Sequence, residues 1–129
     1  MPLVKIETRK PRNSSRKKEI MDAVHSAMRD AFKIPEDDRD IRFREYHPDD
    51  FQVSPEKSEN YILVEISIFS GRSLDAKRAL YRGIVTKLEA LGIRATDVFI
   101  VLHDIPLDNW GIRGGIPASE VDLGFKVDV

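Results

Sequence analysis

The run Leu3-Val4-Lys5-Ile6-Glu7 returns about sixty residues later as Leu63-Val64-Glu65-Ile66-Ser67. A repeat of this period constrains the fold more than any bulk property. Each copy must be one supersecondary unit that cannot bury its apolar side alone. The segments after the two runs match as well. In the first copy Ile20, Val24, Ala27, Met28, Ala31 and Phe32 recur at three- and four-residue spacing, which predicts an amphipathic helix. In the second, Leu80, Ile84, Leu88 and Leu91 do the same, with Ser73 as the expected N-cap and Gly92 just past the end. A serine cap is expected for the first helix too. Each copy then passes through a short loop into another apolar strand. Phe32-Lys33-Ile34-Pro35 leads to Ile41-Arg42-Phe43, and Leu91-Gly92-Ile93 leads to Val98-Phe99-Ile100-Val101-Leu102.

Both copies therefore read strand, helix, strand, and a crossover helix makes the flanking strands parallel. Two such β-α-β units in tandem predict an α+β fold, a four-stranded mixed sheet with both helices on one face. The pseudo-repeats span about residues 2–46 and 62–104 of a single 129-residue domain. Residues 47–61 are polar and read as a connecting loop. The glycine-rich tail, 109–129, ends in alternating Phe125, Val127 and Val129, which suggests a C-terminal hairpin or strand added to a sheet edge, its own or a partner's. The last strand of the second copy is apolar on both faces, so a neighbouring subunit is expected to cover it.

The 21 basic and 22 acidic residues leave a formal net charge of -1, so no bulk field draws the chain to nucleic acid. The basic run Arg9, Lys10, Arg12, Arg16, Lys17 and Lys18 reads as a solvated loop and helix face. With no cysteine, disulfides and thiolate nucleophiles are excluded. His25, His47 and His103 are scattered, and no pair has ligand spacing on one element, so no metal is expected. His25 sits beside the apolar face of the first helix and reads as a boundary residue. The N-terminal run lacks the apolar length of a signal peptide or membrane span, which leaves a cytoplasmic location and no membrane partner as the expectation.

Three places could carry chemistry. Glu36-Asp37-Asp38-Arg39-Asp40 crowds carboxylates before the second strand, where one could act as general acid or base. Asp97 occupies a comparable place in the second copy, which argues that at least one of these aspartates is structural. Arg72 stands in Phe69-Ser70-Gly71-Arg72-Ser73, where a strand hands over to a helix. Backbone N–H groups at that end favour anions, and a guanidinium adds a bidentate grip on a carboxylate. Pro2 is the third. At a free N-terminus proline is a secondary amine able to carry a proton near neutral pH. If Met1 stays, it is an ordinary amide. Gly111-Ile112-Arg113-Gly114-Gly115 lacks the strand-loop-helix context of a phosphate cradle.

Met1-Pro2-Leu3-Val4-Lys5-Ile6, the two β-α-β copies, Phe69-Ser70-Gly71-Arg72-Ser73 and Asp108-Asn109-Trp110-Gly111-Ile112-Arg113-Gly114 together resemble the tautomerase superfamily. The longer-chain branch similar to malonate semialdehyde decarboxylase is nearest. The resemblance implies a homotrimer and a cofactor-independent enzyme acting on a small oxo acid or enol. Pro2 would be general acid or base, Arg72 would grip substrate carboxylate, and Asp38 would assist. Arg39, Trp110 and Arg113 would line the substrate pocket. Two departures separate the chain from the decarboxylases: Ser70 replaces a second arginine, and Ile112 replaces an aromatic ring. The equivalent of Pro2 in the second copy is Ile62, so one proline site per chain is expected. Tautomerisation by keto-enol proton transfer is the leading reading. Decarboxylase-like or hydratase chemistry and a noncatalytic trimeric binding scaffold are the alternatives.

Overall fold

The computed structural model describes residues 2–129, so the expected removal of Met1 lies outside the described residues. Strands β1 (Leu3–Thr8) and β2 (Asp40–Glu45) flank helix α1 (Ser14–Phe32), and β3 (Ile62–Phe69) and β4 (Val98–Ile105) flank α2 (Leu74–Glu89). The sheet order is β2-β1-β3-β4. β1 pairs parallel with β2, β3 parallel with β4, and the two units join through an antiparallel β1/β3 pair. This is the mixed four-stranded sheet that the repeat predicts.

The helices start where side-chain oxygens meet their first free N–H groups. Ser73 accepts from the Ala76 N–H at 3.1 Å at the head of α2. For α1 the cap is Asn13, which accepts from the Arg16 N–H at 2.8 Å, rather than the expected serine. Ser14 and Ser15 fall in the first turn instead. α1 closes on Lys33 in the left-handed region, φ 58°.

Alternation in the strands sets the core. Val4, Ile6, Ile62, Val64, Ile66 and Ile68 all point to one face and are fully buried there against Ile20, Val24, Met28 and Phe32 of α1 and Leu80, Ile84 and Leu88 of α2. Each such side chain contributes about 1.5–3 kcal/mol by leaving water. His25, expected at the boundary, is buried, with Nε2 2.9 Å from the Glu36 carbonyl. That bond lets an imidazole sit inside the helix-sheet layer. The other sheet face carries Lys5, Glu65 and His103, with Glu65 3.7 Å from the Lys5 ammonium and 3.1 Å from His103 Nε2. Leu3 and Phe99 remain exposed. No helix among the described residues is long and apolar enough to cross a membrane.

After β4 the chain builds a two-strand hairpin, β5 (Gly111–Ile112) with β6 (Ile116–Pro117), over a small second core of Phe69, Trp110 and Ala118. Phe125, Val127 and Val129 form no strand within this single chain. Phe125 and Val127 instead pack against that second core, and the backbone is tied at its end by a 2.9 Å bond from the Ser73 N–H to the Val129 carbonyl. The tail crosses Gly71 so closely that a Cβ there would lie 2.9 Å from the Val127 carbonyl oxygen. Gly71 also has φ 138°, a conformation that side-chain-bearing residues rarely adopt.

Candidate functional site

Register places the chemically interesting residues at one end of the sheet. Leu3 pairs with Asp40 on one side and with Ser67 on the other, so the residue before β1, the residues before β2 and the residues after β3 share that end. These are Pro2, Asp38 and Arg72. β4 runs parallel to β3 and sets Asp104 opposite Ile68 and Ile105 opposite Phe69, which delivers the hairpin to the same end. Pro2 is buried, and Asp38 is partly exposed.

A cavity of about 210 Å³ opens here, lined by Pro35, Asp38, Phe69, Ile112, Arg113, Leu123 and Phe125. Its wall is apolar except for one carboxylate and one guanidinium, the pattern of a pocket that orients a small charged ligand. Arg113 occupies the hairpin tip with φ 50°, an uncommon backbone state for a residue with a side chain.

Arg72 stands just behind this wall and is 7% exposed. Its Nη1 donates to the Phe69 carbonyl at 2.9 Å, and its guanidinium carbon lies 5.0 Å from the centre of the Phe32 ring. Its Nε is buried without a hydrogen-bond partner among the described residues. Burial lowers the guanidinium pKa from its ordinary value, while the carboxylates of Asp104 and Asp38 act in the opposite direction. The group stays a cation.

Beside it, Asp104 accepts from the Lys77 ammonium at 2.8 Å and from the Ser70 hydroxyl. Those two bonds, Lys77 first, hold its carboxyl below the usual carboxylate range. Ser70, where the decarboxylase pattern has arginine, is thus tied to an acid on the neighbouring strand.

Two expected pocket residues lie elsewhere. Arg39 is exposed, and its Nη2 donates to Asp22 Oδ1 of α1 at 2.5 Å, which turns it outward along the helix. Trp110 is buried behind the cavity wall, its ring edge-on to Phe69 with centroids 4.8 Å apart and its indole N–H donating to the Ile105 carbonyl at 3.2 Å. It braces Phe69, which forms the wall. Asp97, the repeat counterpart of the acid cluster, is fully buried and accepts from the Ser58 N–H at 2.8 Å, the Ser58 hydroxyl, and Arg94 Nε at 3.0 Å. It has the structural duty that the sequence suggests for one aspartate. Residues missed from the sequence include Asp104, Leu123 and Phe125. Asp104 follows from strand register once β3 and β4 are paired. Leu123 and Phe125 sit in a tail whose alternation reads as a strand and gives no sign that it lines a cavity.

A profile described as tautomerase enzyme matches residues 38–113, and a second with the same description matches residues 2–61. The chain belongs to the tautomerase family. Among its relatives, the probable tautomerase YusQ of Bacillus subtilis is 29% identical over 121 residues, covering 89% of this chain and 95% of that protein. Among solved structures, malonate semialdehyde decarboxylase superposes with a TM-score of 0.79 at 28% identity, over 87% of this chain and 92% of its own. A fused 4-OT symmetric trimer does so with a TM-score of 0.81 at 25% identity, over 91% and 96%. The fold is that of a tautomerase-like enzyme.

Proposed function

We propose that the chain catalyses keto-enol proton transfer on a small carboxylate-bearing oxo acid, with the amine of Pro2 as general acid and base once Met1 is gone. The observation that carries this reading is the convergence of Pro2, Asp38 and Arg72 at one sheet end, beside an apolar cavity with Asp38 and Arg113 on its wall. The amine takes a proton from the carbon next to the carbonyl. The electron pair moves onto the carbonyl oxygen, and Arg72 and Arg113 offset the charge of the resulting enolate. The same amine then returns the proton to oxygen or to another carbon. Fixed cations aimed at developing charge supply the larger share of such rate enhancements, and proton transfer by a positioned base adds about 10²- to 10⁴-fold. An apolar wall strengthens both effects by excluding water. Arg39 would meet substrate only by exchanging Asp22, and Trp110 would act through Phe69.

A homotrimer fits this reading. Leu3 and Phe99 on the outer sheet face are exposed, and the fused 4-OT neighbour is a trimer. The malonate semialdehyde decarboxylase neighbour is described with a variant whose first residue, proline, is replaced by alanine, which supports attention to Pro2. It also supports a second reading, decarboxylation or hydration of a 3-oxo acid with protonated Pro2. The deciding experiment places the purified chain, its N-terminus verified by intact mass, in D₂O with a 2-oxo acid. Deuterium should enter the carbon next to the carbonyl at a catalysed rate, and a chain that keeps Met1 should lose that catalysis. Carbon dioxide release from malonate semialdehyde without such exchange would favour the second reading.

A further inference from the structure

The repeat that positions Arg72 has a second arginine in the same place. Arg12 directly precedes Asn13, the cap of α1, as Arg72 directly precedes Ser73, the cap of α2, sixty residues on. The likeness extends to their bonds. Arg12 Nη1 donates to Thr8 Oγ1 at 2.9 Å and to the Lys10 carbonyl at 3.1 Å, and its Nη2 is buried with no partner among the described residues. Each guanidinium is thus held by neutral oxygens, with one buried N–H donor left over. A buried donor on a cation is costly to leave unmet, and a carboxylate is its natural complement.

Arg12 opens onto a cleft of about 350 Å³ at the opposite end of the sheet, lined by Lys10, Arg16, Asn13, Asn60 and Ile93 among others, with three cations and no acid on its described wall. The acids nearby do not line it, although two of them pair with cations of its wall. Glu45 accepts from the Arg12 backbone N–H at 2.7 Å and from the Lys17 ammonium at 2.5 Å. Glu59 lies 3.6 Å from Lys10, and Glu19 2.9 Å from Arg16. Glu45 and Glu59 also act electrostatically on Arg12, without bonding its guanidinium.

The groups that would do chemistry are missing from this copy. Ile62 stands where Pro2 does, and its nitrogen is a chain amide. Asp97 stands near the counterpart of Asp38 and is closed off by Ser58 and Arg94. We infer that the Arg12 cleft is a second site for a small organic carboxylate, which binds there and leaves unchanged. Leu91, partly exposed beside the buried Ile93, offers the carbon skeleton an apolar contact that inorganic phosphate cannot use. The inference does not depend on what the first site turns over.

The test is a malonate titration of the full chain, followed by NMR of the arginine side-chain Nε–Hε groups. The Arg12 signal should move saturably in the wild type and equally in Arg72→Gln. Arg12→Gln and Arg16→Gln should each weaken that binding at least tenfold. Arg16 is the safeguard, since it lies on the helix surface and can be replaced without disturbing Thr8. Malonate should bind more tightly than inorganic phosphate. A motionless Arg12 signal, full affinity in folded Arg16→Gln, or equal affinity for phosphate would each overturn the assignment.

Discussion

The guanidinium of Arg72, at the entrance to α2, lies over the ring of Phe32, the last residue of α1, with 5.0 Å between its central carbon and the ring centre. The two repeats therefore meet at the candidate site, the first supplying a floor and the second the cation. Aromatic stacking suits the planar guanidinium and suits an ammonium poorly. Arg72→Ala should lower kcat/KM for a 2-oxo or enol acid by about 10²- to 10³-fold, the scale of losing one donor to a developing oxyanion. Arg72→Lys should recover little of it. Steady-state rates read from the ultraviolet absorbance of the enol decide the matter, and wild-type turnover in either variant removes Arg72 from the mechanism.

The role of Pro2 is read from the pH dependence. A base must be unprotonated, so kcat/KM for proton abstraction should rise with pH through the amine's titration, which for an ordinary α-amino group falls at about 7.7–8.0. A decarboxylase that needs the protonated amine should show the opposite slope. Rate profiles for the two substrate classes, measured on one preparation, give the sign directly.

Asp97 makes a prediction about stability. Replacing it with alanine leaves the Ser58 N–H and Arg94 without their acceptor and should cost about 2–3 kcal/mol at neutral pH. Its carboxyl is held below the usual range by Ser58 and then Arg94, against the effect of burial. A depressed pKa contributes its full stability above the unfolded value, about 3.9, and that contribution is lost as pH falls from there through the lowered folded value. Urea melts at pH 7 and pH 3 should therefore show a smaller difference between wild type and Asp97→Ala in acid.

Gly71 tests the tail. A methyl group at this position meets the Val127 carbonyl at 2.9 Å and strains a backbone with φ 138°. Gly71→Ala should destabilise the fold by about 1–3 kcal/mol and release the segment after residue 120. Limited proteolysis should cut the tail of the variant faster than that of the wild type, while cleavage elsewhere stays unchanged. An equally resistant tail would mean that the close approach does not hold it.

The four-stranded mixed sheet and both helices were legible because the repeat carries two periods at once, two in the strands and three to four in the helices. Ile20, Val24, Ala27, Met28 and Phe32, read as one helical stripe, are among the residues that α1 buries. The tail was not legible. Phe125 and Val127 alternate as a strand would, yet they use that spacing to reach the second core from an irregular backbone, and periodicity cannot separate the two. At the site, the place of Arg72 between a strand and a helix was legible, Asp38 was singled out from its acidic neighbours only by the resemblance, and the bond of Arg39 to Asp22, seventeen residues back, was not legible because sequence does not show which acid meets it.

Lys5 and Glu65 face each other at the middle of the β1/β3 pairing, 3.7 Å apart at their charged ends. In an antiparallel seam between two matching halves, the middle position meets its own counterpart. Two identical halves would set lysine against lysine or glutamate against glutamate there, and like charges directly opposite repel. Opposite charges make the seam selective for unlike halves. A chain severed within residues 47–61 should accordingly yield two fragments that choose each other over their own kind.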